Sequence, residues 1–299
     1  MQQERVVVAG ASGLIGGALV ESLRADGITV ERLVRRPPRC SDEREWRPGE
    51  APLDPELVRG ASAVVNLCGA SIGRLPWTPA VQRELRSSRI GPTRTLATAL
   101  RALGGEAPLF VSASAVGFYG DRPGERLTET SSPGTTFLAG LSAEWERTAR
   151  EGGEQVPVAL LRTAPVLHPA GVLKPMITLT RFGLGGPLGS GRQIWPWISL
   201  DDEVRAIRHV IAHRLTGPVN LCGPAAASAS EIGRALARAM HRPFVLPAPR
   251  WALRLGLGRA AADSLLLSDA DVRPDVLLAS GFAFTDGTAE AAVQRALAA

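Results

Sequence analysis

Residues 6–16 read Val6-Val7-Val8-Ala9-Gly10-Ala11-Ser12-Gly13-Leu14-Ile15-Gly16, an apolar run that breaks into three glycines spaced three apart and continues as an amphipathic stretch. That pattern commits the start of the chain to a strand, a phosphate-wrapping turn and a helix. Gly10 supplies φ freedom, Gly13 lets the backbone approach a pyrophosphate, and Gly16 lets helix and strand pack closely. The helix expected over 14–24 presents its free N–H groups and positive dipole end to the same anion. Gly10, Ser12, Gly13, Leu14, Ile15 and Gly16 are therefore candidate cofactor-binding residues. An ordinary glycine-rich turn is the competing reading, disfavoured because the strand precedes and the helix follows, as the mechanism requires.

The next apolar stretch, Thr29–Val34, runs into Arg35-Arg36-Pro37. An NAD site places a carboxylate about 20 residues beyond the glycines, on the ribose 2′-hydroxyl, whereas a 2′-phosphate calls for arginine. Two guanidinium groups stand where the carboxylate would be. Arginine matches phosphate in bidentate geometry, so Arg35 and Arg36 point to NADP(H). Glu31 is the acidic counter-candidate, placed early in the strand, and solvated loop charges are the other alternative.

Further apolar strands are expected at Arg5–Ala9, 63–67, 109–112 and 158–162, with helices at Pro79–Leu103 and 139–150 between them. Such alternation argues for an α/β fold, a Rossmann-type doubly wound parallel sheet, whose ligands bind at the carboxyl ends of the strands. The residues just after those strands then converge on one crevice, which adds Cys68, Gly69, Ala70, Ser112, Ala113, Ala164, Pro165 and Val166 to the cofactor candidates. Beyond Pro169 the texture turns glycine- and proline-rich, above all over 183–191. The expected division is a Rossmann core over 1–168 and a smaller substrate-binding region over 169–299, ending in a helical part over 247–299.

A chain of 299 residues, 45% of them hydrophobic, can bury a large core, and no apolar run reaches the ~20 residues of a membrane helix. Cys40, Cys68 and Cys222 are odd in number and far apart, which suggests neither a disulfide framework nor a zinc site. A cytoplasmic protein without a metal or a membrane anchor is expected. The formal charge of +5 is spread out and lacks a basic run interleaved with aromatics, so nucleic-acid binding is not indicated. Lys174 is the only lysine, so any chemistry needing a tunable amine has one candidate.

Several segments together resemble the extended short-chain dehydrogenase/reductases, and within them an atypical branch of nucleoside-diphosphate-sugar epimerase-like proteins with a small C-terminal domain. They are the glycine turn, Arg35-Arg36-Pro37, Ser88-Arg89-Ile90-Gly91, the run from Ser112-Ala113-Ser114 to Tyr119-Gly120-Asp121, Phe137-Leu138-Ala139, the loop from Gly183 to Gln193, and Trp197-Ile198-Ser199-Leu200-Asp201-Asp202. The resemblance implies a Rossmann core, an NADP(H) site and a substrate cleft against the C-terminal part. In the superfamily a tyrosine and a lysine four residues later transfer the proton, and an upstream serine holds the substrate oxygen. Here Tyr119 is the sole tyrosine and Pro123 stands four residues beyond it, while Leu138 and Ser142 occupy the expected tyrosine and lysine places on the helix Phe137–Arg150. Ser114 matches the serine. Arg89 stands where an asparagine usually supports the relay, and it is also a candidate for cofactor contact.

Ser114, Arg89 and Tyr119 are thus the catalytic candidates: a donor to a substrate oxygen, a stabiliser of negative charge, and an acid. A buried ring with a satisfied hydroxyl is the equal alternative for Tyr119. Arg192 and Gln193 resemble the region that grips the diphosphate of a sugar nucleotide in extended relatives, and with Ser114, Lys174 and Trp197 they form the substrate-binding set. Trp195 and Trp197 read as stacking surfaces or as packing anchors. His168 is an outside candidate for proton shuttling, and His209 with His213 is better read as a surface helix face than as a metal site. The expected function is an NADP(H)-dependent oxidoreductase or epimerase-like enzyme acting on a small carbonyl or hydroxyl substrate, phosphorylated and nucleotide-linked ones included. The alternative is a non-catalytic NADP(H)-binding redox sensor or scaffold. Relatives suggest by analogy a homodimer through the helices Pro79–Leu103 and 139–150.

Overall fold

The apolar runs assemble in the computed structural model, which describes residues 4–298, into a seven-stranded parallel sheet with helices on both faces, beside two small two-stranded sheets. In chain order the elements are β1 (Arg5–Ala9), α1 (Leu14–Ala25), β2 (Thr29–Val34), β3 (Glu43–Glu45), β4 (Ala63–Asn66), α2 (Pro79–Leu103), β5 (Leu109–Ala115), β6 (Arg126–Leu127), α3 (Phe137–Arg150), β7 (Val158–Thr163), β8 (Val166–Leu167) and α4 (Leu173–Arg181). They continue as β9 (Ile198–Ser199), α5 (Leu200–Ala212), β10 (Gly217–Leu221), α6 (Ala229–Ala239), α7 (Arg250–Leu257), α8 (Arg259–Leu265), β11 (Asp271–Val272), α9 (Asp275–Ala279) and α10 (Ala289–Ala298). The main sheet runs β10-β7-β5-β4-β1-β2-β3. Strand order reverses between β1 and β4, and the carboxyl ends there open the crevice in which doubly wound sheets hold ligands.

Buried on both faces, the central strands read as continuous apolar runs. Val6 and Val8 pack with Leu19 and Leu23 of α1 and with Ile207 and Val210 of α5. Val7 and Ala9 pack on the opposite face with Leu96 and Leu100 of α2. Helix starts follow their caps: the Thr78 hydroxyl accepts from the Val81 N–H, the Thr136 hydroxyl from that of Ala139, and Ser228 and Glu231 form a reciprocal capping box on α6.

Two sheet strands carry no apolar alternation. Glu43-Arg44-Glu45 pairs with Arg32, Leu33 and Val34 as one edge, where charge is tolerated and discourages further pairing. Gly217-Pro218-Val219-Asn220-Leu221 forms the other edge against β7, where a proline lacking its N–H costs no interior ladder bond. The sheet is therefore completed by residues beyond 168. Val272, Leu277 and Phe282 also join the core under α5, and Ala261 packs against Leu85 and Leu141 on the other side. Among the described residues no helix is long and apolar enough to cross a membrane.

Candidate functional site

At the turn after β1, Gly10 has φ +86°, and a Cβ there would lie 2.7 Å from the Leu67 carbonyl carbon and oxygen. A Cβ on Gly16 would lie 2.3 Å from the Gly10 carbonyl oxygen. Helix α1 starts at Gly13 with no side-chain cap and no acidic residue in its first turn, so its amino end is open toward the crevice. Ser12 and Gly13 are exposed beside it, and Leu14 and Ile15 half-buried.

Arg35 and Arg36, adjacent in sequence, part ways. The Arg36 guanidinium is bound through both Nη atoms at 2.7 Å to the Glu43 carboxylate, itself held well below the usual range, to about 2, mainly by that contact. This corrects its assignment to a phosphate: its two-donor fork is already filled. Exposed Arg35 has no ion pair among the described residues. Its charge reaches the Cys68 thiol, which burial nevertheless pushes up to about 12. Glu31, the acidic counter-candidate, is tied to Arg5 and Arg44.

The loop after β4 is latched by the first half of α2. The Ala70 N–H donates to Ser88 Oγ at 3.0 Å, and Arg89 donates to the carbonyls of Leu85 at 2.9 Å and Ala70 at 3.2 Å. The guanidinium lies against Gly69 and 5.2 Å from the centroid of the Trp145 ring, a cation–π contact. Below it, Thr93 Oγ1 donates to the Arg89 carbonyl and accepts from Asn66 and from the Trp145 indole. Burial alone lowers Arg89 to about 10, so it stays charged at neutral pH. No carboxylate among the described residues pairs with it.

Ser114 and Tyr119 belong to a buried network that the sequence reading did not anticipate. Ser114 Oγ donates to Glu146 Oε1 at 2.8 Å, and Arg162 Nε and Nη2 grip the same carboxylate at 2.8 and 3.0 Å. Arg162 Nη1 also donates to the Tyr119 hydroxyl at 2.9 Å, and that hydroxyl donates to Asn220 Oδ1 at 2.6 Å. Tyr119 has no exposed surface, and burial raises its phenol to about 12. It is thereby corrected from a candidate acid to a satisfied core tyrosine. Ser114, with its hydrogen committed to Glu146, cannot donate to a substrate in this arrangement. Ser112 is wholly buried beside Ala113. An arginine following four apolar residues in the strand Val158–Thr163 was the available signal, since a buried guanidinium demands a carboxylate nearby.

Ala164, Pro165 and Val166 follow β7, anchored by Ala164 N–H to the Leu221 carbonyl and by Ile198 N–H to that of Pro165. Pro165 is exposed and Val166 half-buried. Trp197 is 1% exposed, bonded to the Ala225 carbonyl and pressed on Gly223, and Trp195 is bonded to the Leu266 carbonyl, so both indoles are packing anchors. Gln193 is buried as well, its amide spanning the Leu188 and Leu266 carbonyls. These contacts correct the substrate-binding assignment of Gln193 and Trp197: neither has a free face. Arg192 is exposed and lines a cavity of about 430 Å³ with Ser190, Arg234 and Phe244. Lys174 is exposed in the first turn of α4. His168 Nδ1 accepts from the Ala170 N–H in a local turn, and His209 and His213 stack at 3.9 Å on α5.

The model of the NAD dependent epimerase/dehydratase family matches residues 6–222, from the first sheet strand to just past the last. The chain belongs to that family. A second model, a domain of unknown function (DUF1731), matches residues 248–296. An epimerase family protein of Mycobacterium bovis is 45% identical over 288 residues, covering 95% of this chain and 94% of that protein. The human epimerase family protein SDR39U1 is 30% identical over 289 residues, 94% of this chain and 95% of its own. A crystal structure of human SDR39U1 (isoform 2) with NADPH superposes with a TM-score of 0.88 at 29% identity, covering 97% of this chain and 98% of that one. Family membership thus spans the glycine turn, Arg35, the Arg89 latch and β7, and the second match covers the C-terminal helices.

Proposed function

We propose that the protein is an NADP(H)-dependent oxidoreductase acting on a small carbonyl or hydroxyl compound, with Arg89 holding the reacting oxygen. Support for the cofactor comes from the uncapped amino end of α1, the unpaired Arg35 and the NADPH in the crystal structure of the human relative. The main-chain N–H groups after Gly13 would take the pyrophosphate and Arg35 the 2′-phosphate. Bound NADPH supplies a hydride. What the chain must add is a charge to meet the oxygen that turns negative.

The observation that carries this reading is Arg89, a charged guanidinium beside exposed Gly69 with only main-chain carbonyls and an aromatic face as partners. Arginine cannot serve as a base at neutral pH, but it stabilises developing negative charge. With Tyr119 and Ser114 closed inside the core, the proton follows from water. That closure favours a second reading, an NADP(H)-binding sensor without turnover.

The test is a panel of aldehydes and ketones followed by loss of NADPH absorbance, with NADPH affinity measured in parallel. Arg89→Met should leave NADPH binding within about threefold and cut turnover by roughly 100-fold, the scale seen when one oxyanion donor is removed. Tight NADPH binding with no carbonyl accelerating its oxidation would favour the sensor.

A further inference from the structure

Glu203 stands in the first turn of α5 with no exposed surface. Its Oε1 accepts a 2.8 Å hydrogen bond from Thr163 Oγ1, and its Oε2 has no partner. A buried carboxylate with one oxygen unsatisfied is costly unless the group is neutral or a cation arrives. Burial raises its pKa to about 8, opposed only by the Thr163 hydroxyl.

The charges of the surrounding elements are engaged elsewhere or turned away. On α5, Asp202 pairs with Arg205, Arg208 with Asp26, His209 contacts Ser280, and Asp201 is exposed. On α1, Arg24 pairs with Asp42 and Glu21 is exposed. On β7, Arg162 is bound to Glu146 of α3, on the opposite face of the sheet. β5, β8 and β9 carry no ionisable side chain.

Thr163 is the last residue of β7 and half-buried, immediately before Ala164–Pro165–Val166 at the carboxyl edge of the sheet. Arg35 follows β2, the open end of α1 follows β1, and β7 lies on the far side of β1 from β2. A dinucleotide with its 2′-phosphate at Arg35 and its pyrophosphate at α1 must extend its nicotinamide toward β5 and β7. The oxidised ring carries a positive charge and the reduced ring none.

We propose that Glu203, reaching the cleft through Thr163, is a specificity determinant for the redox form of the cofactor, holding NADP⁺ in preference to NADPH once its carboxyl is ionised. The inference rests on NADP(H) as the ligand of the cleft and not on the chemistry assigned to Arg89. At low pH the neutral acid gives no preference. As pH rises the carboxylate forms and the preference for the oxidised form grows. The 2′-phosphate and Arg35 are common to both forms, so their titration cancels in the ratio of the two affinities.

The experiment is calorimetric titration of the full chain with NADP⁺ and with NADPH at pH 6, 7, 8 and 9. The affinity ratio should shift toward NADP⁺ by roughly tenfold across that range, the effect of one charge several ångströms away at an effective dielectric near 20. Glu203→Gln, checked for an undiminished melting temperature, should give a flat ratio. Thr163→Val should displace the change to higher pH, because it removes the donor that favours the carboxylate. A flat ratio in the unmodified protein, or the same slope in Glu203→Gln, overturns the inference while leaving the cofactor assignment standing. Absence of binding by either form overturns both.

Discussion

Arginine supplies all but one of the 34 lysine and arginine side chains of this protein, and what each does depends on whether a carboxylate is within reach. Arg36 is consumed by Glu43, Arg162 by Glu146, while Arg35 and Arg89 have no carboxylate partner among the described residues. Arg35→Ala should therefore weaken NADPH binding about 10- to 100-fold, the value of a charge-assisted hydrogen bond, and leave NADH binding nearly unchanged. Titration calorimetry with both nucleotides decides it, and equal losses would remove Arg35 from the 2′-phosphate. Glu203 gives a pH dependence of stability. Its acid is weaker folded than unfolded, so the folded state holds the proton between 4.5 and about 8, and stability falls as pH rises through that window. The slope is at most ~1.4 kcal/mol per pH unit from this one group. Denaturant unfolding at pH 5 and 8 should show Glu203→Gln losing less stability than the unmodified protein over that interval.

Among elements, the turn from β1 to α1 was legible in full, because its requirements are local: an apolar strand, glycines where backbone meets backbone, and a helix pattern. Gly16→Ala puts a methyl 2.3 Å from the Gly10 carbonyl oxygen, a backbone atom that cannot step aside. Overpacking of this kind costs about 1–3 kcal/mol. The variant should melt lower and lose affinity for both NADPH and NADH, in contrast to Arg35→Ala, which differential scanning calorimetry and titration together would show. Strands β3 and β10 were not legible, since neither alternates apolar and polar residues. Their pairing is imposed by β2 and β7, which offer unsatisfied ladder groups at the sheet edges. Helix α3 was read as the place of a lost proton relay. What it contributes is Glu146, a turn beyond the Ser142 position, whose role is visible only with Arg162 and Ser114 beside it.

On the scale of the whole molecule, the C-terminal helices are part of the same core as the sheet. Val272, Leu277 and Phe282 pack beneath α5, and Asn220 of β10 donates to the Arg273 carbonyl while its N–H and that of Val276 share the Glu129 carboxylate. Deleting residues 247–299 should therefore expose that core and leave a chain without a cooperative unfolding transition, whereas the intact protein should unfold in one step by circular dichroism and fluorescence alike. A stable, cooperatively folding fragment would show the two parts to be separable. Fold class, the cofactor turn and the two neighbouring arginines follow from patterns spanning a few residues, because helix and strand periodicity and glycine chemistry act over that range. Which arginine stays free, why Tyr119 and Ser114 face inward, and the solitary acid at Glu203 depend on partners between 7 and 101 positions away, and only packing brings such groups into one dielectric environment.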